Sequence, residues 1–260
     1  MLHPNELDIQ IDNLRTLQES YDQIATDLQA IKDAHILGFS YDGIIFEEGY
    51  EPQSAFGIIA NRDRIIEIHD DRDMVVPKMS SGDYSQLEIF EMTNATSAPN
   101  QNFLSGSSSI RKIILPSLYD LPNLIGFINS MTNLIYLDLY DLDMNRGTSS
   151  PYFTYNCNKL ICIKIGKRFS TNRNTLSSWS PTEALLDNSI SLLTQEDLDA
   201  GFTSNLQKLL YNIREHIAAN LPDRTDLTSF SITFSAAVKA AIQADQETSD
   251  AFTNKNWTIA

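Results

Sequence analysis

The chain has 260 residues, and its content of 42% hydrophobic and 20% charged residues is typical of a folded globular protein and excludes disorder for the bulk of it. The 34 acidic and 19 basic residues give a formal net charge of -15, which repels phosphate backbones, so we expect no nucleic-acid partner. No apolar run approaches the ~18 residues of a membrane span, and the first residues lack the basic and apolar regions of a signal peptide. We therefore expect no membrane insertion, and composition leaves the cellular location open.

Residues 5–34, within an N-terminal segment of residues 1–36, are predicted to form a helix. Apolar residues recur there in alternating steps of three and four, the spacing of a coiled-coil seam, at Leu14, Leu17, Tyr21, Ile24, Leu28 and Ile31. Such a stripe can cap the open end of the repeats that follow, or it can form a homo-oligomer through residues 5–34 as a short coiled coil. The small number of heptads and the polar residues Gln18 and Ser20 beside the seam favour the cap.

Residues 37–170 contain an internal repeat with apolar residues at its first, fourth and sixth positions. The pattern is clean in three copies that start at Ile110, Leu134 and Leu160, which are 24 and 26 residues apart. Weaker copies start at residues 41, 63 and 84, so we count six repeats. This period predicts an α/β fold, a right-handed leucine-rich-repeat solenoid. A phenylalanine seven residues before four of the starts predicts a buried row of Phe56, Phe103, Phe127 and Phe153.

Two of the repeats share a longer segment, FINSMTNL at residues 127–134 and FTYNCNKL at 153–160, and Ile114-Leu115-Pro116 closes the strand of an earlier copy. With these segments, residues 41–170 resemble the BspA-like leucine-rich repeats of bacterial surface proteins. The last segment, residues 223–260, is similar to C-terminal units of repeat proteins from gut bacteria of the Bacteroides group and their phages. The resemblance implies a binding or adhesion protein at the cell surface or outside the cell.

Residues 171–260 have a different character and are predicted to be mostly helical. Apolar spacing and stop signals predict helices over 181–188 and 202–220, a strand over 230–234, helices over 236–244 and 248–253, and a last strand over 257–259. Ile232 with Phe234 and Trp257 with Ile259 are 25 residues apart, which indicates two further repeats. We therefore expect this region to continue the solenoid and to cap it.

The sequence contains no nucleophile elbow, phosphate loop, dinucleotide fingerprint or HExxH helix. Its histidines are dispersed without a partner at metal-ligand spacing, at His3, His35, His69 and His216. We expect no catalytic residue, no enzyme activity, no cofactor and no metal, although the acidic clusters at 69–73 and 138–143 offer oxygen ligands that calcium accepts. The residues from Cys157 to Cys162 lead into an extended strand and separate the two thiols, so no disulfide is expected between them.

The concave sheet of the predicted solenoid is the candidate binding surface. Because side chains alternate along a strand, the residues that flank each fourth and sixth position point away from the core. The ligand-binding residues predicted on this basis are Tyr136, Asp138, Tyr140, Glu88, Phe90, Glu67, His69 and Lys164. Exposed aromatic rings among carboxylates are typical of recognition surfaces, although aromatic residues also stabilise strands through cross-strand pairs.

We predict a non-enzymatic protein that binds a protein or glycan ligand on this surface, with Tyr136 and Tyr140 contributing most of the binding energy. The alternative is a structural or tip component of a phage particle or a similar assembly, oligomerised through the N-terminal helix. The mass of the chain in solution separates the two, because a monomer disfavours the second.

Overall fold

The fold is known from a computed structural model of the chain. It describes residues 12–25, 43–50, 54–55, 58–59, 61–77, 79, 81–98, 104–119, 128–142, 154–165, 175–226 and 229–260. The protein is mixed α/β, with a larger sheet that is mostly parallel and a smaller sheet surrounded by helices.

The larger sheet has six strands in the order β1-β4-β5-β6-β7-β8. Their bounds are Ile44–Phe46 for β1, Ile65–Asp70 for β4, Ile89–Met92 for β5, Lys112–Ile114 for β6, Tyr136–Asp138 for β7 and Cys162–Lys164 for β8. Strands β4 to β8 are parallel and follow one another in chain order, whereas β1 pairs with β4 in the antiparallel sense. A separate antiparallel pair is formed by β2, Ser54–Ala55, and β3, Ile58–Ile59.

Equivalent residues of the five parallel strands lie side by side. One fully buried row crosses the sheet through Ile68, Phe90, Ile113, Leu137 and Ile163. A second buried row lies three residues before the first along the chain, at Ile65, Leu87, Ile110, Leu134 and Leu160. Each repeat therefore contributes the apolar residues at its first and fourth positions to one continuous core.

The turns before the strands also repeat. The backbone N–H of Leu87 donates to the carbonyl of Tyr84, and the same bond recurs from Leu134 to Met131 and from Leu160 to Cys157. The turn after the strand recurs as well, from Leu118 to Leu115 and from Leu142 to Leu139. These turn bonds pair backbone N–H and C=O groups that have no partner on a neighbouring strand. The chain can therefore turn at these points without forming a helix.

The register of two predicted repeats is wrong. The buried residues place the starts at Ile65 and Leu87, not at residues 63 and 84, because Phe90 points inward and Ile89, predicted at an inward sixth position, does not. The predicted repeat at residue 41 is also wrong as a parallel repeat, since β1 is antiparallel. The predicted row of Phe56, Phe103, Phe127 and Phe153 lies outside the described residues.

The C-terminal region forms a three-stranded parallel sheet in the order β11-β10-β9. Its elements are β9 Thr175–Leu176, α2 Glu183–Leu186, α3 Gln195–Asp199, α4 Asn205–His216, β10 Phe230–Phe234, α5 Ala236–Ala244, α6 Gln246–Thr253 and β11 Trp257–Ile259. The predicted strands and the helix over 236–244 are confirmed. The expected helix over 181–188 is reduced to α2, and α3 was not foreseen. These strands pair with each other rather than extending the six-stranded sheet, although both sheets share one hydrophobic core.

The N-terminal helix α1, residues 12–25, leaves its apolar stripe in solvent. Its side chains at Leu14, Leu17, Tyr21 and Ile24 are between 57% and 72% exposed. The described part of α1 therefore does not cap the sheet in this structure; the rest of residues 5–34 lies outside the described residues. Among the described helices, none is long and apolar enough to cross a membrane.

The burial of Phe90 gives a test of the register. Replacing Phe90 by alanine removes a fully buried ring from the central row, so we expect the free energy of unfolding to fall by about 3–5 kcal/mol. Ile89→Ala, at the adjacent outward position, is the matched control and should cost about 1 kcal/mol because Ile89 is only half-buried. Urea denaturation measures both, and equal losses would contradict the register.

Candidate functional site

The outward face of the six-stranded sheet, opposite the buried row, carries two ordered rows of side chains. The first row runs through Glu67, Ile89, Lys112, Tyr136 and Cys162. The second runs through His69, Glu91, Ile114, Asp138 and Lys164. Because adjacent strands are about 4.8 Å apart, residues of β4 and β7 in one row are separated by about 14 Å. The face thus has two distinct ends.

The structure places the predicted binding residues in several environments. Glu67 and His69 lie on the outward face at β4, and Tyr136, Asp138 and Lys164 lie on the same face at β7 and β8. The other three are an exposed Glu88 before β5, a Tyr140 that follows β7 and is 38% exposed, and Phe90. Phe90 was predicted on the binding surface, and this is wrong, because the strand alternation turns its ring into the core.

At the β4 end, His69 lies between two carboxylates. Its Nδ1 is 2.9 Å from Glu91 Oε2 and its Nε2 is 2.9 Å from Glu67 Oε2. Partial burial alone would lower the pKa of His69, but the hydrogen bonds to Glu67 and Glu91 outweigh it and raise that pKa above 6.5. An imidazolium donates to both carboxylates, so this end of the face is held together best when His69 is charged.

At the opposite end, the C-terminal region covers the sheet. Helix α4 packs against β8, and a cavity of about 540 Å³ lies between the outward face and the segment that contains α3 and α4. We call this cavity the sheet–helix cleft. On the sheet side it is lined by Glu88, Arg111, Lys112, Tyr136, Cys162 and Lys164, and on the helix side by Leu192, Phe202, Lys208, Tyr211, Asn212 and His216. The sequence predicted an open concave face, but the C-terminal region covers this face at β8.

Local interactions position the helical wall. Thr194 caps α3 through a reciprocal capping box with Asp197, and Ser204 caps α4. Asp197 also binds Lys208 of α4, with Nζ 2.5 Å from Oδ2. Burial alone would raise the pKa of Asp197, but the bonds from Lys208 and Thr194 lower it. One carboxylate thus stabilises the start of α3 and fixes α3 to α4.

The floor of the cleft is built around the ring of Tyr136. The ammonium groups of Lys112 and Lys164 each lie 5.3 Å from the centre of this ring, within the range of cation–π attraction. The Tyr136 hydroxyl donates to Asp138 at 3.3 Å, and Lys164 lies 3.7 Å from the same carboxylate. Burial raises the pKa of both Tyr136 and Asp138, and for Asp138 it outweighs the opposing effect of Lys164.

Residues of α4 complete the site and were not predicted. Cys162 Sγ donates to Asn212 Oδ1 at 3.1 Å, and burial raises the pKa of this thiol to about 12. His216 has a pKa below 6.5, because it is partly buried and close to the positive charge of Lys164. A sequence signal was present, since Lys208, Asn212 and His216 recur every four residues and form a polar stripe beside the apolar face of α4. Cys157 and Cys162 are both free and buried.

One carboxylate of each acidic cluster considered for calcium already has a partner. Asp70 accepts from the Arg72 guanidinium at 2.6 Å, and Asp138 is engaged as above. Within the described ranges, no group of three or more histidine, cysteine and acidic side chains is arranged to hold a metal ion.

Comparisons with known proteins return no relative. No protein-family model matches the chain, and no curated protein and no solved structure is significantly similar to it.

His69 on the outward face and His216 of α4 give opposite pH dependences. The raised pKa of His69 means that its stabilisation is fully present below pH 6.5 and is lost as the pH rises through the folded pKa. The lowered pKa of His216 means that stability falls as the pH drops below 6.5. Imidazole proton resonances of the folded protein should therefore titrate above 6.5 for His69 and below it for His216. Glu91→Gln should lower the first midpoint and leave the second unchanged; a His69 midpoint at or below 6.5 would contradict the ion-paired geometry.

Proposed function

We propose that the chain is a non-enzymatic binding protein of leucine-rich-repeat architecture, with its ligand site in the sheet–helix cleft. Support for the architecture comes from one strand per repeat, with the row residues Ile68, Phe90, Ile113, Leu137 and Ile163 spaced 22, 23, 24 and 26 residues apart. The likeness of residues 41–170 to BspA-like repeats agrees with this architecture and favours a role in adhesion.

The composition of the cleft supports a binding role. Its volume of about 540 Å³ lies within the range of small-ligand sites, and it combines aromatic rings with a few converging charged groups. Phe202 and Tyr211 form an edge-to-face pair with ring centres 5.2 Å apart, opposite Tyr136. Rigid rings of this kind bind a ligand with little loss of conformational entropy.

A binding role fits the cleft better than catalysis. The thiol of Cys162 is bonded to Asn212 and not to an imidazole, and its pKa of about 12 keeps it protonated at neutral pH. A cysteine nucleophile needs an adjacent base or a lowered pKa. Cys162 therefore stabilises the contact between β8 and α4 rather than supplying an activated nucleophile.

The geometry favours a ligand group of limited size over a broad contact with the whole face. A protein or glycan would insert one side chain or one sugar into the cleft and rest its remainder on the open strands β4 to β6. Tyr136 lines the cleft, whereas Tyr140 follows the strand and is not among its lining residues. The two tyrosines are therefore not equivalent.

A screen on glycan and protein arrays with the labelled chain identifies the ligand, and variants then locate its site. We expect Tyr136→Ala to weaken binding by about 2 kcal/mol, because it removes a ring from the floor of the cleft. Tyr140→Ala should have a smaller effect, and Tyr155→Ala, on an exposed turn, is the matched control. Tyr136 also donates a hydrogen bond to Asp138, so its loss can destabilise the fold. A melting curve of each variant therefore shows whether a loss of affinity comes from a loss of folding. Unchanged affinity in a folded Tyr136→Ala protein would remove the cleft as the site.

The exposed stripe of α1 favours a second role, in assembly. Four apolar side chains at coiled-coil spacing remain in solvent, which is unfavourable for an isolated helix. A second copy of the same helix would cover them, as in a short homo-oligomeric coiled coil. This is the arrangement that a structural or tip component would use.

Light scattering tests this role directly. If α1 assembles, the chain should have a multiple of its 29.3 kDa mass, and Leu17→Glu should return it to a monomer because a charge at the seam cannot be buried. Gln18→Glu, beside the seam, should leave the mass unchanged. A monomeric parent chain at high concentration would exclude assembly through α1.

A further inference from the structure

Among the residues that the structure describes, the sheet–helix cleft contains one cation without an acidic partner. Three of its four lysine and arginine side chains face a carboxylate, in the pairs Arg111–Glu88 at 3.8 Å, Lys164–Asp138 at 3.7 Å and Lys208–Asp197 at 2.5 Å. The fourth, Lys112, forms no ion pair with any residue that the structure describes. Its ammonium group lies 5.3 Å from the centre of the Tyr136 ring, which carries no formal charge.

The acidic side chains of the cleft do not cancel this charge. Glu88 and Asp197 belong to the pairs just described, and the remaining one, Glu196, is exposed in the first turn of α3, where water solvates it. His216 is uncharged at neutral pH because its pKa is lowered. The interior of the cleft therefore has an excess of one positive charge, at Lys112, although the whole chain has a net charge of -15.

The surroundings of Lys112 define the rest of the ligand. Its partner ring, Tyr136, forms the floor of the cleft on the sheet side, and the edge-to-face pair of Phe202 and Tyr211 lines the helix side. A flat or cyclic group can fill this space, and an adjacent anion can reach the ammonium group of Lys112. A ligand with two negative charges would lie close to the Asp138 carboxylate and be repelled by it. Among the described residues of the cleft, no second unpaired cation balances the extra negative charge.

We propose that the cleft selects a ring that carries a single carboxylate, with the carboxylate bound by Lys112 and the ring held between Tyr136 and the Phe202–Tyr211 pair. This inference rests on the proposed function, because it names the chemical class of ligand for the same cleft. The ring belongs either to an aromatic acid or to an acidic sugar, both of which present the same carboxylate.

The test uses a matched set of small probes with the full chain, followed by two-dimensional amide NMR. The probes are 2-naphthoate, its neutral isostere 2-naphthamide, the dianion 2-naphthyl phosphate, and glucuronate as the sugar acid. We expect a singly charged acid to bind about tenfold more tightly than the amide and the phosphate, the effect of one charged hydrogen bond. Shifts should concentrate at Lys112, Tyr136 and Tyr211, and the preference for naphthoate or glucuronate identifies the source of the ring.

Variants assign the preference to one side chain. Lys112→Met keeps the aliphatic stem and should make naphthoate and naphthamide bind equally, while Lys112→Arg should retain the preference for the acid. Lys239→Met, a half-buried lysine of α5 outside the cleft, is the matched control. A melting curve confirms that each variant is folded.

The outcomes distinguish this inference from the function on which it rests. If amide and acid bind the parent chain equally and both are lost in Tyr136→Ala, the cleft is a ligand site but the choice of an anion is wrong. If none of the probes binds near about 1 mM, the usual range of a small fragment, the carboxylate inference is overturned. The array screen with Tyr136→Ala then decides separately whether the cleft binds any larger ligand.

Discussion

The in-register pairing of the parallel strands is the constraint on which the rest of the structure depends. Because each strand pairs with the next without a shift from β4 to β8, equivalent residues form straight rows on both faces of the sheet. The inner row becomes a continuous apolar core, and the outer rows bring residues of successive repeats into contact. His69 meets Glu91, and Tyr136 lies within reach of both Lys112 and Lys164, only because this register holds.

Much of this arrangement could be predicted from the spacing of apolar residues, and its errors have a physical origin. The copy starting at Ile110 has the polar residues Arg111 and Lys112 between its first and fourth apolar positions, so only one register fits there. Around Phe90, by contrast, the run Leu87-Glu88-Ile89-Phe90 supports two registers, and periodicity cannot choose between them. Tyr84 offered the missing signal, since it precedes Leu87 by three residues as Met131 precedes Leu134 and supplies the same turn carbonyl.

The site was harder to predict than the fold, because it depends on contacts between distant parts of the chain. The strand residues Tyr136, Asp138 and Lys164 follow from alternation, but α4 reaches them from 50 residues further along, as in the bond between Cys162 and Asn212. A helical pattern predicts which side chains share a face and does not state what that face covers. Asn212, in the polar stripe beside the apolar face of α4, is buried, and a buried amide needs a hydrogen-bond partner from elsewhere in the chain.

Strand order also separates charge along the outward face. The β4 end carries Glu67 and Glu91 around His69, whereas the cleft end contains Lys112 and Lys164. Glu67 on β4 and Lys164 on β8 are four strand spacings apart, about 19 Å, which exceeds the Debye length of ~8 Å at physiological salt, whereas Glu91 and Lys112 lie on the adjacent strands β5 and β6, where the two groups of charges meet. An anionic group is repelled by the first end and attracted by the second, and α3 and α4 exclude part of the water there, which strengthens the attraction. A strongly acidic chain can in this way present a position at which a negative charge is stabilised.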